Sequence, residues 1–507
     1  MLYTSIIVEL LRSQPRLTFW LATLAQAAVW WIVPSLLYSA PPGDLPLVLA
    51  IGHEFQLGSY YGPPLAFWVA EAAYTVAGIV GVYFVAQACV VATYYLVFTL
   101  GRAIVGIHHA VFAVLLMVGL FTFTAPTANF GPAVLAMPLT AFALLHLWRA
   151  IGERQRRSWF LLALALGLLL LTTYAGLALV ATIVVFLVAT RRGRRALRSA
   201  DPWLASFLIL VVLFPHLIWL DLGGGFARLG LELVPGPVSS TDLVSNLEQL
   251  LVIHAGLLTL VVLGSNWHFR SEEKVPVFVR SFTDPLGRRF AYLFALAPAL
   301  LVTAGGALLG EPQPAMGPQL ILSGLAIVVL AGNSIPWHRP HLVAMAWLLL
   351  LIAPPLSAAT AVLVLPWLGI SGVEVARPAV AMGRFFADNF ERSAGAPLTI
   401  VAGDPGNAAL VALGAPTRPS LYLDATPERS PWISVTELRR RGALVVWPSA
   451  GPNIQVPEPI RARFPALSAR VPHPFERAVN GRLPPLRIGW GVLRPNQVTD
   501  DGGPRTQ

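Results

Sequence analysis

Eleven apolar runs, read against the roughly twenty residues needed to cross about 30 Å of hydrocarbon, follow one another through the first 370 residues of this chain. They fall near 17–38, 80–100, 109–124, 132–148, 158–171, 176–190, 203–221, 249–265, 290–309, 317–332 and 342–370. A single water-soluble core is excluded. Of 507 residues, 56% are hydrophobic and only 12% charged, where soluble domains carry about 25% charged residues. The pattern predicts a polytopic α-helical membrane protein with about eleven transmembrane helices.

Charge placement orients those spans. The net charge of +10 would suggest nucleic acid in a soluble protein, but here the arginines sit in short blocks between apolar runs, which is how topology is encoded. No nucleic-acid partner is expected. With a cytoplasmic N-terminus, the inner segments hold eighteen Arg or Lys residues, whereas the outer loops before residue 371 hold only Arg228. The run from Trp159 to Thr190 is read as two short helices turning at "TTYAG", because one long helix would separate the basic blocks "RAIGERQRR" and "RRGRRALR". A hairpin at "APPLSAAT" would reverse the side of everything after it. The N-terminal stretch follows Arg12 and Arg16 without a small-residue cleavage site and reads as a retained first span. The one cysteine, Cys89, lies in an apolar run, which leaves no intramolecular disulfide and no thiolate metal site.

Beyond residue 371 the composition changes. "PLTIVAG", "PSLYLDA" and "ALVVWP" read as strands, with helices in "RPAVAMGRFFADNFERSAG", "PGNAALVALGA" and "VTELRRRG". Repeated αβ order predicts a small parallel sheet with flanking helices over 371–495, and 496–507 reads as a disordered tail. The turn "GDPGN" at 403–407 has the form of a helix N-terminus that holds phosphate, but a lone turn of this kind is more often a plain αβ connection.

The segment between the first two spans, residues 39–79, has too many interruptions for an ordinary crossing. It reads as amphipathic pieces lying in the interface, with Tyr60, Tyr61 and Trp68 at headgroup level. It also collects Asp44, His53 and Glu54 before "YGPPLAFW". Spacing alone allows a structural role, with Asp44 capping a helix and Glu54 solvated.

The order of these residues resembles the first outer loop of polyprenyl-phosphate-sugar-dependent glycosyltransferases of the membrane GT-C fold, the group of the protein O-mannosyltransferases and the aminoarabinose lipid A transferase. In that family an Asp precedes a "KPPL" or "HPPL" element and an aromatic-rich helix; here Asp44 and "YGPPLAFW" take those places, and Gly52 and Glu54 match a pattern of one branch. The likeness extends more loosely through "TAPTANFGPAVLAMPLTAFALLHLWRA", "LGLLLLTTYAGLAL" and "FPHLIWL". The chain departs from it at Leu47, at Gly62 where a Lys or His precedes the prolines, and at Thr173; its sole lysine, Lys274, falls on the cytoplasmic side.

The resemblance implies transfer of a sugar from a polyprenyl-phosphate donor to a hydroxyl acceptor (lipid, glycan or protein) on the outer face of a bacterial-type inner membrane. The transferase domain is expected over 1–370 and an extracytoplasmic α/β domain after it. Inversion at the anomeric carbon with Asp44 as general base is the expected chemistry, with Glu54 as the second candidate catalytic residue. His53, Tyr60, Tyr61, Pro63, Pro64 and His216 are the expected donor- and acceptor-binding residues, and phosphate is referred to Tyr60, Tyr61, backbone amides or Arg228. No cofactor is assigned. A divalent metal ion would require Glu54 to act with His53 or His216, and neighbours on a helix face different ways. Two other classes stay open: a transporter, for which no internal repeat is found and Glu71 is the main acid in the early apolar helices, and a catalytically silent GT-C relative.

Overall fold

The computed structural model describes residues 2–222, 240–265, 276–280, 282–309, 317–370, 374–423 and 429–495. Arg228, Lys274 and the tail 496–507 lie outside the described residues. Contacts divide the chain into two compact units, one of Met1–Ser35, Tyr61–Ala66 and Val76–Ala358, the other of Leu36–Tyr60, Phe67–Thr75 and Ala359–Gln507.

The helices run α1 (Leu2–Ser13), α2 (Pro15–Leu37), α3 (Leu45–His53), α4 (Leu65–Val105), α5 (Ile107–Met117), α6 (Pro132–Ile151), α7 (Arg157–Leu170), α8 (Gly176–Ala189), α9 (Arg191–Leu197), α10 (Asp201–Leu222) and α11 (Ser240–Gly264). After strand β1 (Val277–Val279) come α12 (Pro285–Leu309), α13 (Ser323–Leu330), strand β2 (Ser334–Pro336), antiparallel to β1, and α14 (Pro340–Leu363). Every expected apolar run contains a helix, but only seven described helices are long and apolar enough to cross a membrane, or eight if α8 and α9, bent by 101°, form one span. The others are short: α5 has 11 residues and α7 has 14, which at 1.5 Å per residue reach only about 16 and 21 Å. The protein is a multi-pass membrane protein.

Local chemistry accounts for the breaks. Helical geometry fails inside α4 at Ala77 and Gly78 (φ 60°, ψ −155°), so a first piece ends before the expected span from residue 80 begins. The run from Trp159 to Thr190 is two helices, α7 and α8, joined at Thr172–Ala175. Thr190 then caps the arginine-rich α9, its hydroxyl accepting from the Gly193 N–H at 3.1 Å. α14 continues through Pro354 and Pro355, so "APPLSAAT" is not a hairpin. The core of the first unit gathers Val97, Leu100, Leu144, Leu166, Phe186, Phe290 and Phe294, all nearly or fully buried.

The second unit carries α15 (Ala379–Ala394), β3 (Ile400–Gly403), α16 (Pro405–Gly414), β4 (Ser420–Leu423), α17 (Val435–Arg441), β5 (Ala443–Pro448), α18 (Glu458–Arg463), β6 (Ser468–Phe475) and β7 (Leu486–Leu493). Strand order is β4-β3-β5-β7-β6. The three strands read from the sequence are parallel, but β7 pairs antiparallel with both β5 and β6, so the sheet is mixed rather than parallel. Both added strands are interrupted by proline or glycine, which hides their alternation. Ile400, Ala402, Tyr422, Val445 and Trp447 form the core of one face, and Met382, Phe386 and Phe390 bury the apolar side of α15.

Candidate functional site

In the second unit, α3 presents candidate residues at both ends. Asp44 stands at its N-cap with φ −84° and ψ 0°, outside the extended geometry of a capping side chain, and makes no cap hydrogen bond. Its carboxylate is left exposed. With Leu47, Glu374, Arg377, Pro405 and Gly406 it lines a pocket of about 200 Å³. Pro405 and Gly406 open the helix that follows β3 after Asp404, and the carboxyl ends of parallel strands are where αβ sheets offer ligand crevices. The "GDPGN" turn is itself closed: Asp404 Oδ2 accepts from the Asn407 N–H at 2.9 Å and from Asn407 Nδ2 at 2.8 Å. That makes it a capped αβ connection.

Nine residues further on, about 13 Å along the helix axis, His53 ends α3. Its Nδ1 donates to Glu71 Oε1 at 3.0 Å, and Arg418 donates from Nη2 to Glu71 Oε2 at 2.8 Å. Glu71 is only 4% exposed. Arg418 also stacks on the Tyr74 ring at 4.4 Å. The helices here approach closely at Gly52, where a Cβ would stand 2.4 Å from the Phe67 carbonyl oxygen. Next to His53, the Glu54 Oε1 is buried with no hydrogen-bond partner among the described residues. Burial pushes the Glu54 carboxyl above its ordinary pKa; the Ser420 hydroxyl and His53 pull it down, and the charge of Glu437 pushes it further up. Asp44 and Glu54 therefore belong to opposite ends of one helix and cannot share a proton.

The remaining candidates are dispersed. The Tyr60 hydroxyl accepts from Arg429 Nη2 at 3.1 Å, and that guanidinium lies 4.2 Å over the Tyr60 ring. In the first unit, Tyr61 is exposed, Pro63 and Pro64 are buried, and Pro64 is the N-cap of α4. Gly62 has φ +130°, a conformation that suits glycine. His216 is buried in α10, its Nε2 2.9 Å from the Tyr174 hydroxyl and its ring stacked on Trp219. Among the described residues no group of three His, Cys, Asp or Glu side chains is placed to hold a metal ion. This donor set does not fit a protein-bound divalent ion.

Residues 61–219 match the family model of dolichyl-phosphate-mannose-protein mannosyltransferases. Among solved structures the chain is similar to ArnT from Cupriavidus metallidurans bound to undecaprenyl phosphate, with 14% identity, a TM-score of 0.54, and coverage of 96% of this chain and 99% of that one. ArnT is a glycosyltransferase of the GT-C fold. This chain has the GT-C fold. The apo state of the same ArnT gives 16% identity and a TM-score of 0.54 over 93% of this chain and 97% of that one. The oligosaccharyltransferase of Archaeoglobus fulgidus in its apo form is similar at 14% identity and a TM-score of 0.45, over 86% of this chain and 69% of that one. No curated protein matches by sequence.

Two side chains that meet the candidate residues escaped the sequence reading, Arg377 and Arg418, whereas Glu71 was legible as an unusual acid in an apolar helix, and its burial with two partners explains it. Arg377 and Arg418 look like ordinary surface arginines, and nothing near them in sequence points to Asp44 or Glu71.

Proposed function

We propose that this protein transfers a sugar from a polyprenyl-phosphate donor to a hydroxyl acceptor at the outer face of a bacterial-type inner membrane. The family match across 61–219 and the GT-C fold support that class. The observation that carries the reading is the exposed, uncapped carboxylate of Asp44 in a pocket of about 200 Å³. In the proposed step Asp44 takes the proton of the acceptor hydroxyl while its oxygen bonds to the anomeric carbon. The bond from that carbon to the phosphate oxygen breaks, and the electron pair leaves with polyprenyl phosphate. One displacement inverts the anomeric centre. Residues 1–370 are the proposed transferase domain and 371–495 an extracytoplasmic domain; His53, Tyr60, Tyr61, Pro63, Pro64 and His216 are assigned to donor and acceptor binding, and Glu54 to positioning the acceptor.

The test is label transfer from a polyprenyl-phosphate sugar to envelope fractions. Asp44→Asn keeps the shape but removes the basic carboxylate, so transfer should fall by roughly 100-fold or more with membrane insertion unchanged. Near-normal turnover in that variant would remove Asp44 from the mechanism.

A further inference from the structure

Within the first unit, α1 and the first turns of α2 fold with α5, α11, α13 and α14 around an apolar groove of about 630 Å³, walled by side chains such as Leu11, Ala25, Phe112, Trp337 and Trp347. Three of its polar lining groups are spent on backbone: Thr18 donates to the Gln14 carbonyl at 3.2 Å, Ser265 to the Val262 carbonyl at 3.0 Å, and the Trp347 indole to the Leu115 carbonyl at 3.1 Å. Buried water needs two to four polar partners, so such walls favour hydrocarbon. A dry cavity of about 150 Å³ takes one benzene; by that measure this groove takes on the order of twenty-five carbons.

Its reach and its rim point to the kind of amphiphile. The groove runs from Thr18 to Ala25 on α2 and from Val343 to Leu351 on α14, about 10 and 12 Å along those axes, which is within the roughly 15 Å of one leaflet's hydrocarbon. Arg12 follows Leu11, and its guanidinium lies 5.5 Å over the Phe278 ring. That ring meets Phe112 edge-on at 5.0 Å and Trp337 at 6.4 Å, both in the groove wall. His338 lines the groove itself, no Asp or Glu does, and the one acid of α1, Glu9, is exposed. One end of an apolar cleft is therefore positive.

We propose that this groove holds one anionic phospholipid from the leaflet on the arginine-rich side, its acyl chains along the apolar walls and its phosphate at Arg12 beside His338. This lipid site is independent of the transfer reading and uses neither Asp44 nor the donor. A chain gains little by leaving lipid for protein, because both are apolar. Retention above bulk lipid then comes from the headgroup, where a guanidinium fork meets phosphate oxygens and a surface cation attracts an anionic lipid. α14 is the least buried of the seven long apolar helices, so a lipid held between it and α2 supplies packing that the protein does not, and the native state is stabilised by what it binds.

The test takes the purified full chain, delipidated in detergent, and titrates it with phosphatidylglycerol, phosphatidylcholine or undecaprenyl phosphate, read by native mass spectrometry and thermal unfolding. The parent should retain one phosphatidylglycerol, melt at a higher temperature with it, and bind phosphatidylcholine about fivefold more weakly or worse. Arg12→Gln should weaken phosphatidylglycerol binding about fivefold and leave phosphatidylcholine unchanged. Ala25→Trp fills the groove and should lose both the retained lipid and the thermal response. Should Ala25→Trp not fold, Ala344→Trp makes the same comparison from α14. The proposal is overturned if the parent binds the two phospholipids alike, if Arg12→Gln binds phosphatidylglycerol like the parent, or if a groove-filling variant keeps the lipid. It is equally overturned if undecaprenyl phosphate displaces phosphatidylglycerol at equal concentration, which would make the groove a path for the donor's tail. None of these measurements needs turnover, so their failure leaves the transfer reading untouched.

Discussion

Arg418 donates from Nη2 to Glu71 Oε2 at 2.8 Å, joining positions 347 residues apart. The two side chains are 20% and 6% exposed, and His53 occupies the other carboxylate oxygen at 3.0 Å. Within the second unit this buried acid therefore ties the end of α3 to the segment that leads into β4.

Removing one partner of such a pair strands the other. Arg418→Met leaves the Glu71 carboxylate buried with only His53, and thermal unfolding in detergent should show a loss of about 3–5 kcal/mol. The double variant Glu71→Leu, Arg418→Met removes both charges and should recover most of that loss. A single variant as stable as the parent would mean that the pair contributes nothing.

Gly62 cannot be exchanged for the basic residue that the resemblance places before the two prolines. Its φ of +130° is strained for any residue with a Cβ, so both Gly62→Ala and Gly62→Lys should lose about 1–3 kcal/mol. Lysine is then no substitute for a phosphate-binding group here. Melting temperatures of the two variants check this, and an unchanged value for Gly62→Ala would refute the conformational argument.

Glu54 makes stability depend on pH. Because its folded pKa is raised by burial, the native state keeps a proton that the unfolded chain releases. The stabilisation is full below the ordinary glutamate value and is lost as pH rises through the folded value. Glu54→Gln removes the ionisation, so its melting temperature should decline less than the parent's between about pH 5 and 8. Parallel pH profiles would place Glu54 in a more solvated setting than the one described.

Orientation is testable at Ala450, which is exposed, whereas the neighbouring Ser449 is half-buried and donates to the Gly451 carbonyl at 3.0 Å. Ala450→Cys should react with an impermeant thiol reagent once the outer barrier of intact cells is opened. Cys89, which is buried, should stay unlabelled. Protection of residue 450 until the inner membrane is broken would put the α/β domain in the cytosol and remove an outer-face reaction.

Local pattern was enough wherever the physics is local. Apolar runs specify helices because each backbone group in hydrocarbon must bond within its own segment, so even the break at "TTYAG" was legible. Alternating αβ order gave away β3, β4 and β5, and the resemblance around Asp44 and the two prolines pointed to the GT-C fold. How long a run stays helical is a different matter: α5 and α7 stop short of a crossing, a length that apolar composition alone does not report. Partners distant in the chain left no trace either. Glu71 meets Arg418, and Arg377 shares a pocket with Asp44, because folding brings together segments more than three hundred residues apart. Spacing in sequence carries no record of such distances. The separation of Asp44 from Glu54 is the simplest case: adjacent in any reading of a short loop, they are held about 15 Å apart along the axis by the helix that forms between them.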